Sequence, residues 1–305
     1  MAAEASGGAS LDGLPEGCIA NALSLTSPRD ACRLSLIASI FRSAAISDAV
    51  WERFLPPDYR DIISRSADAA DLLASASKKD LYFRLCDFPV LIDGDTMSFS
   101  LEKKSGKKCY MIGARSLKIV WSDTPTYWKW ISHPHSRFAE VAELLEVCWL
   151  EISGTISTTF LSPNTTYAAY LVFALLPSAS GFDLHRDFYG EYNPVNAAIE
   201  LKINGDEEAK KEQGVFLSTQ EDVTREEWGY GFSRARRPDG LDADSENNAA
   251  KFPKKRSHAW MEVEIGEFFV KDGGQHGEIV MSLMEVRGHW KSGLIVEGIE
   301  IRPKE

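Results

Sequence analysis

A chain of 305 residues with 44% hydrophobic and 26% charged residues has the composition of globular protein, and its length suits about two domains. Forty-five acidic against 34 basic residues leave a net charge of −11, which argues against nucleic acid as the main partner, because phosphate binding needs a basic face. Five scattered cysteines (Cys18, Cys32, Cys86, Cys109 and Cys148) include no Cys-x-x-Cys pair, so no zinc site and no disulfide framework is expected, and free thiols suit a reducing compartment.

The N-terminal stretch has neither a positive region nor an apolar run, so no secretory signal is expected. Helix starts come next. Ser27-Pro28-Arg29-Asp30 offers an N-cap serine, a proline where no N–H is needed and an acid at the positive helix end. Ser47-Asp48 opens a short helix carrying Val50, Trp51 and Phe54, and Pro56-Pro57 ends it. The Ala-rich stretch 61–76 reads as one helix, and Ser77-Lys78-Lys79-Asp80 starts another before Leu81, Phe83 and Leu85.

The pattern changes near residue 88. Seven of the eight tryptophans follow residue 120, and short alternating runs appear at 97–101, 109–111, 117–121, 147–152, 167–176, 197–203, 215–218, 260–265, 278–286 and 294–301. Many short strands between turn residues predict an antiparallel sandwich or barrel. The longest apolar run, 167–176, stops at Pro177; it is too short to cross a bilayer as a helix and reads as a buried strand, so no membrane is expected as partner. The Asn164-Thr165-Thr166 sequon is then expected to be unused. Residues 220–257 are polar, rich in both charges, and read as a long surface loop.

Signals for catalysis are largely missing. No phosphate loop, nucleophile elbow or His-Glu-x-x-His occurs, and Gly229-Tyr230-Gly231 is too short for a dinucleotide fingerprint, so no cofactor is expected. His133-Pro134-His135 reads as a surface loop rather than a metal site. Glu278 and Glu285 on one strand of period two point to opposite faces, which suits solvated charges better than an acid/base pair. Arg234-Ala-Arg236-Arg237 and Lys254-Lys255-Arg256 read as a solvated loop before a split nuclear import signal. Trp121, Tyr127, Trp128 and Trp130 bracket a polar turn. Indole faces there could stack on sugar rings, or they could be core residues, as Trp149 and Trp260 are expected to be.

Two resemblances bear on these residues. Leu14-Pro15-Glu16, Cys18-Ile19, the 26–32 segment, Phe41-Arg42 and the Ser47-Asp48-x-Val50-Trp51-x-x-Phe54-Leu55 end resemble an F-box. The resemblance implies a three-helix module, residues 11–57, that docks on the small adaptor subunit of a cullin-RING ubiquitin ligase through Leu14, Pro15, Ile19, Pro28, Leu36, Trp51 and Phe54. Arg115-Ser116-Leu117-x-Ile119-x-Trp121, Asp123-x-Pro125-x-Tyr127-Trp128-x-Trp130, Cys148-Trp149-Leu150-Glu151-Ile152-x-Gly154, the 167–173 run, Gly266-Glu267-Phe268-Phe269 and Trp290-Lys291-Ser292-Gly293 resemble the phloem protein 2 and Nictaba-type lectins of plants.

That second likeness implies a jelly-roll-like β-sandwich over 89–305 that binds N-acetylglucosamine-containing sugars or N-glycans through Trp121, Trp128, Glu278 and Glu285. The expected fold class is α+β and multidomain: a tail at 1–10, the F-box at 11–57, a helical connector at 58–88 and the lectin-like sandwich at 89–305. The combination implies a non-catalytic ligase substrate receptor in the cytoplasm or nucleus, with glycosylated targets. A sandwich that binds protein without sugar, and a stress-related lectin, are the alternatives.

Overall fold

The computed structural model describes residues 14–182, 194–218, 250–273 and 276–304. The chain divides into two compact units, Met1–Ile92 with Phe99–Lys108, and Asp93–Ser98 with Cys109–Glu305.

The first unit is helical: α1 (Glu16–Ser24), α2 (Pro28–Leu34), α3 (Ser39–Ala44), α4 (Asp48–Phe54), α5 (Tyr59–Ser64), α6 (Ala69–Leu73) and α7 (Lys78–Asp87). Two of the expected caps form, with Ser27 Oγ accepting from the Asp30 amide at 3.1 Å and Ser77 Oγ from the Asp80 amide at 3.0 Å. Four short helices, not three, occupy the segment up to residue 57. The single helix expected over 61–76 is broken into α5 and α6, because Ser66 Oγ takes the Asp68 amide at 3.2 Å and offers the backbone an alternative to the helix ladder.

The core of this unit gathers on Trp51, which is fully buried and donates from Nε1 to the Ala45 carbonyl at 2.7 Å. Phe54, Tyr82 and Phe83 surround its indole, with ring centroids 5.6, 5.2 and 5.2 Å away. Tyr82 and Phe83 belong to α7, so the residues expected to be a mere connector supply half of the aromatic core. Ile19, Pro28, Trp51 and Phe54, expected on a docking ridge, are instead interior residues. The reason is that each meets a partner within the chain: α4, with Trp51 and Phe54, packs on α7, and α1, with Ile19, packs on α2, α3 and α4.

β1 (Val90–Ile92) follows the helices, and β2 (Met97–Leu101) and β3 (Lys108–Gly113) run from one unit into the other. Then come β4 (Lys118–Ile119), β5 (Trp128–Ile131), β6 (Val141–Leu144), β7 (Leu150–Ser157), β8 (Thr165–Ser180), β9 (Val195–Ile203), β10 (Asp206–Val215), β11 (Lys254–Lys255), β12 (Met261–Val270), β13 (Glu278–Glu285) and β14 (Ser292–Pro303). One sheet of the second unit has the order β3-β14-β8-β12-β11, with β6 also on β14 and β5 on β6; the other has the order β10-β9-β13-β7-β4. The strand pairs within both sheets are antiparallel.

The sheets face each other, as a β-sandwich requires. A Cβ on Gly154 of β7 would lie 2.8 Å from Leu117 and 3.3 Å from Ile299 of β14, so the interior is too tight there for any side chain. β7 and β13 alternate buried and solvated residues, while the central β8 is buried almost continuously to Ala174, as a strand covered on both faces must be. β10 was not expected: its residues from Asp206 to Glu212 are exposed, so no hydrophobic period marks it. It is set by a hairpin turn at Asn204 and Gly205, whose φ values of 55° and 91° suit that dipeptide.

Of the expected loop 220–257, residues 220–249, with the cluster at Arg234, lie outside the described residues. The remainder is not a free loop. Lys254 and Lys255 pair with β12, and Lys251 exchanges backbone hydrogen bonds of 2.8 and 3.0 Å with Phe216 and Gly214.

Candidate functional site

Two surfaces stand out. On the helical unit, Leu14, Leu25, Leu36, Ile37 and Ile46 are exposed aliphatic side chains, and Leu36 and Ile37, just past α2, are the most open at 79% and 71%. Of the seven residues expected to dock, Leu14, Pro15 and Leu36 are at the surface. Leu25, Ile37 and Ile46 were missed, because each sits in a turn between helices where apolar periodicity is silent.

The second surface lies at one end of the sandwich. The Val120 amide donates to the Glu151 carbonyl at 3.1 Å, which puts Trp121 beside the start of β7, and Leu150 of β7 pairs with Glu285 of β13. Trp121 is 41% exposed, packs on Tyr127 at 5.3 Å, and has a φ of +62°. A bulky residue in the left-handed region is strained, and such strain is concentrated at functional positions. Trp128 starts β5 nearby and donates from Nε1 to the Val120 carbonyl at 3.1 Å, but it is only 2% exposed, so the core covers the indole face expected to stack on sugar.

Glu285 is at this same end and Glu278 is not. The two occupy opposite ends and opposite faces of β13, roughly 23 Å apart at the usual strand rise, which rules out an acid/base pair. Glu285 is buried beside the fully buried Lys291, whose ammonium it contacts directly; Arg287 Nε donates to it at 2.7 Å. Burial works against ionisation here, yet hydrogen bonds from Lys291 and Arg287 hold the carboxyl below the usual carboxylate range. Lys291 also donates to the carbonyls of Cys148 at 3.2 Å and His289 at 2.7 Å. The residues that follow those carbonyls, Trp149 and Trp290, are 43% and 57% exposed. Trp149 is therefore not the core residue its strand position led us to expect.

The remaining candidates are accounted for by packing. His133 lies against Trp260 at 4.7 Å and His135 stacks on His258 at 4.4 Å; among the described residues no group of three His, Cys, Asp or Glu side chains is arranged to hold a metal. Arg256, the last residue of the second basic cluster, bonds to Glu262 and Glu300, and Arg302 bonds to the same two carboxylates. None of the five cysteines is in a disulfide, and burial pushes the Cys86 thiol up to about 12. No helix among the described residues is long and apolar enough to cross a membrane.

Residues 107–303 match the family model of Phloem protein 2, which spans the sandwich. Over the whole chain the similarity extends to F-box proteins of Arabidopsis thaliana. F-box protein PP2-B1 is 40% identical, covering 96% of this chain and 90% of its own, and F-box protein PP2-B10 is 41% identical, covering 96% and 93%. The chain belongs to the phloem protein 2 family, among its F-box proteins of the PP2-B type. A family 35 carbohydrate binding module from Clostridium thermocellum matches at 10% identity over 63% of this chain and 96% of its own, with a TM-score of 0.28, a level that bears on neither fold nor function.

Proposed function

We propose that this chain is the substrate receptor of a cullin-RING ubiquitin ligase in the cytoplasm or nucleus, holding the small adaptor subunit with its helical unit and the target with its sandwich. No covalent step falls to it; it supplies proximity. The exposed Leu36 and Ile37 carry the adaptor half, since open aliphatic side chains grouped on a small helical unit mark a partner surface. Burying one such side chain is worth about 1.5–3 kcal/mol. Leu36→Asp with Ile37→Asp is therefore expected to weaken adaptor co-purification by about a hundredfold or more. Circular dichroism should not change, because neither side chain is in the core. Undiminished adaptor capture by that variant refutes the assignment.

For the target, we propose glycan-bearing proteins containing N-acetylglucosamine, recognised at the Trp121 end of the sandwich. Stacking on an indole adds about 0.5–1.5 kcal/mol beyond area burial. On a glycan array the full chain should bind weakly, and Trp121→Ala should lower affinity about tenfold. The sites implied at Glu278 and Trp128 do not enter this surface. The burial of Trp128 and the ion pairing of Glu285 favour a second reading, a sandwich that selects protein surfaces without sugar, and an empty array would decide for it.

A further inference from the structure

β12 pairs with β8 along its whole length on one edge, but on the other it meets β11 only at Met261 and Glu262. The ladders show where its remaining backbone groups point. The Lys304 amide donates to the Thr166 carbonyl at 2.9 Å, so Thr166 faces β14. Its partner in β12, Phe269, therefore turns its own amide and carbonyl away from β8, and Glu267 does the same. Among the described residues neither has a backbone partner on that side. Across the β-bulge at Ile265, Glu264 faces the same way, since Gln213 Nε2 donates to its carbonyl at 2.6 Å. The segment before β11 leaves this edge uncovered, because Lys251 is bonded to Gly214 and Phe216 instead. A cleft of about 800 Å³ results, with the open edge of β12 on one side and Lys211 to Gln213 of β10 on the other.

We propose that this edge of β12 docks an extended, acidic segment of a partner protein, which adds as a strand in line with β11. An open edge presents donors and acceptors at ladder spacing, and a peptide backbone matches both. Charge selects the side chains. Each carboxylate lining the cleft already has a cation: Glu212 has Lys210, Glu262 has Arg256 and Arg302, and Glu264 and Glu267 have Lys304. Lys211 and Lys254 line it too and, among the described residues, have no carboxylate partner. Lys211 is opposite Ile199, which lies under Gly266 of β12, so its side of β10 is the one that faces β12. Acidic side chains on the inner face of the added strand therefore meet Lys211. Uncharged ones suit its outer face, beside Glu264, Glu267 and the 53% exposed ring of Phe269. The lane uses none of the residues of the Trp121 surface, and the assignment holds whether or not that surface binds sugar.

The test is fluorescence anisotropy of a labelled eight-residue peptide alternating Glu and Val, titrated with the full chain. Saturable binding is expected, although the chain carries a net charge of −11 and repels acidic peptides in general. Methylating alternate backbone nitrogens of the peptide, or replacing its Glu by Lys, should weaken binding at least about tenfold, and so should Lys211→Gln combined with Lys254→Gln. Hydrogen exchange reads the lane without regard to peptide sequence. In the free chain the amides of Glu267 and Phe269 should exchange about a hundredfold faster than those of Phe268 and Val270, which face β8, and should slow when the peptide is added. Equal protection of all four amides in the free chain would show the edge already covered, and would overturn the proposal. Absence of binding, or binding indifferent to backbone methylation, does so as well. A dimer seen by ultracentrifugation without peptide, with Glu267 and Phe269 protected only in the dimer, gives the lane to a second copy and removes the acidic partner.

Discussion

Trp51→Ala is expected to unfold the helical unit. The side chain is wholly buried between Phe54, Tyr82 and Phe83, and truncating such an aromatic costs about 3–5 kcal/mol. The Ala45 carbonyl also loses its donor, which adds about 1 kcal/mol. Small domains have total stabilities of about 5–15 kcal/mol, so a unit of this size keeps little or none. Amide exchange on the full chain checks it: peptides from α1, α4 and α7 should lose protection together, with β7 and β13 as internal reference. Adaptor binding should vanish too, but through unfolding. The Leu36 and Ile37 variant must lose binding with protection intact, so the pair of experiments separates a core residue from a contact. Protection in α7 that survives Trp51→Ala would mean that α7 does not share this core.

The difference between those variants marks what was legible in the sequence. Helix starts were, because an N-cap serine with an acid three residues on acts locally, and the caps at Ser27 and Ser77 form as their spacing says. The sandwich was, because period-two burial in β7 and β13 is written directly in the residues. Burial of Trp51 was not. A hydrophobic side chain in a short segment reads equally as core or as docking surface, and only α7, some 30 residues on, decides which.

The same ambiguity governs the tryptophans in the opposite direction. Trp128 and Trp149 both lie at strand starts, and nothing local tells the buried one from the exposed one. β10 was missed for a different reason. An exposed edge strand needs no apolar pattern, although its Asn204-Gly205 turn was a usable signal. The family positions for sugar binding were found by type alone, and type does not place Glu278 and Glu285 on one face. Parity along a strand, which is legible, does separate them.

The second large effect concerns Glu285 and Lys291. Removing one member of a buried ion pair leaves an uncompensated charge, at a cost of about 3–5 kcal/mol, whereas replacing both by apolar residues of similar size is close to neutral. The pair is asymmetric. In Lys291→Met, Glu285 still has Arg287 Nε at 2.7 Å, on a side chain that reaches solvent. In Glu285→Met, the Lys291 ammonium keeps two carbonyls and, among the described residues, has no carboxylate left to pair with. Glu285→Met is therefore expected to be the more damaging single change by denaturant titration, Lys291→Met milder, and the double Met variant more stable than Glu285→Met. The pH dependence follows from the Glu285 carboxyl lying below its ordinary value when folded. A carboxylate of that kind contributes its full stabilisation above the unfolded pKa of about 4.3 and loses it as pH falls through the lower folded value. Because the depressed Glu300 carboxyl is common to both chains, the stability difference between wild type and the double Met variant isolates the pair. That difference should be flat from about pH 5 to 7 and drift steadily against wild type below about pH 4.3. A difference that instead stays constant into acid would show that Glu285 ionises no more readily folded than unfolded, and that the ammonium is held by its two carbonyls alone.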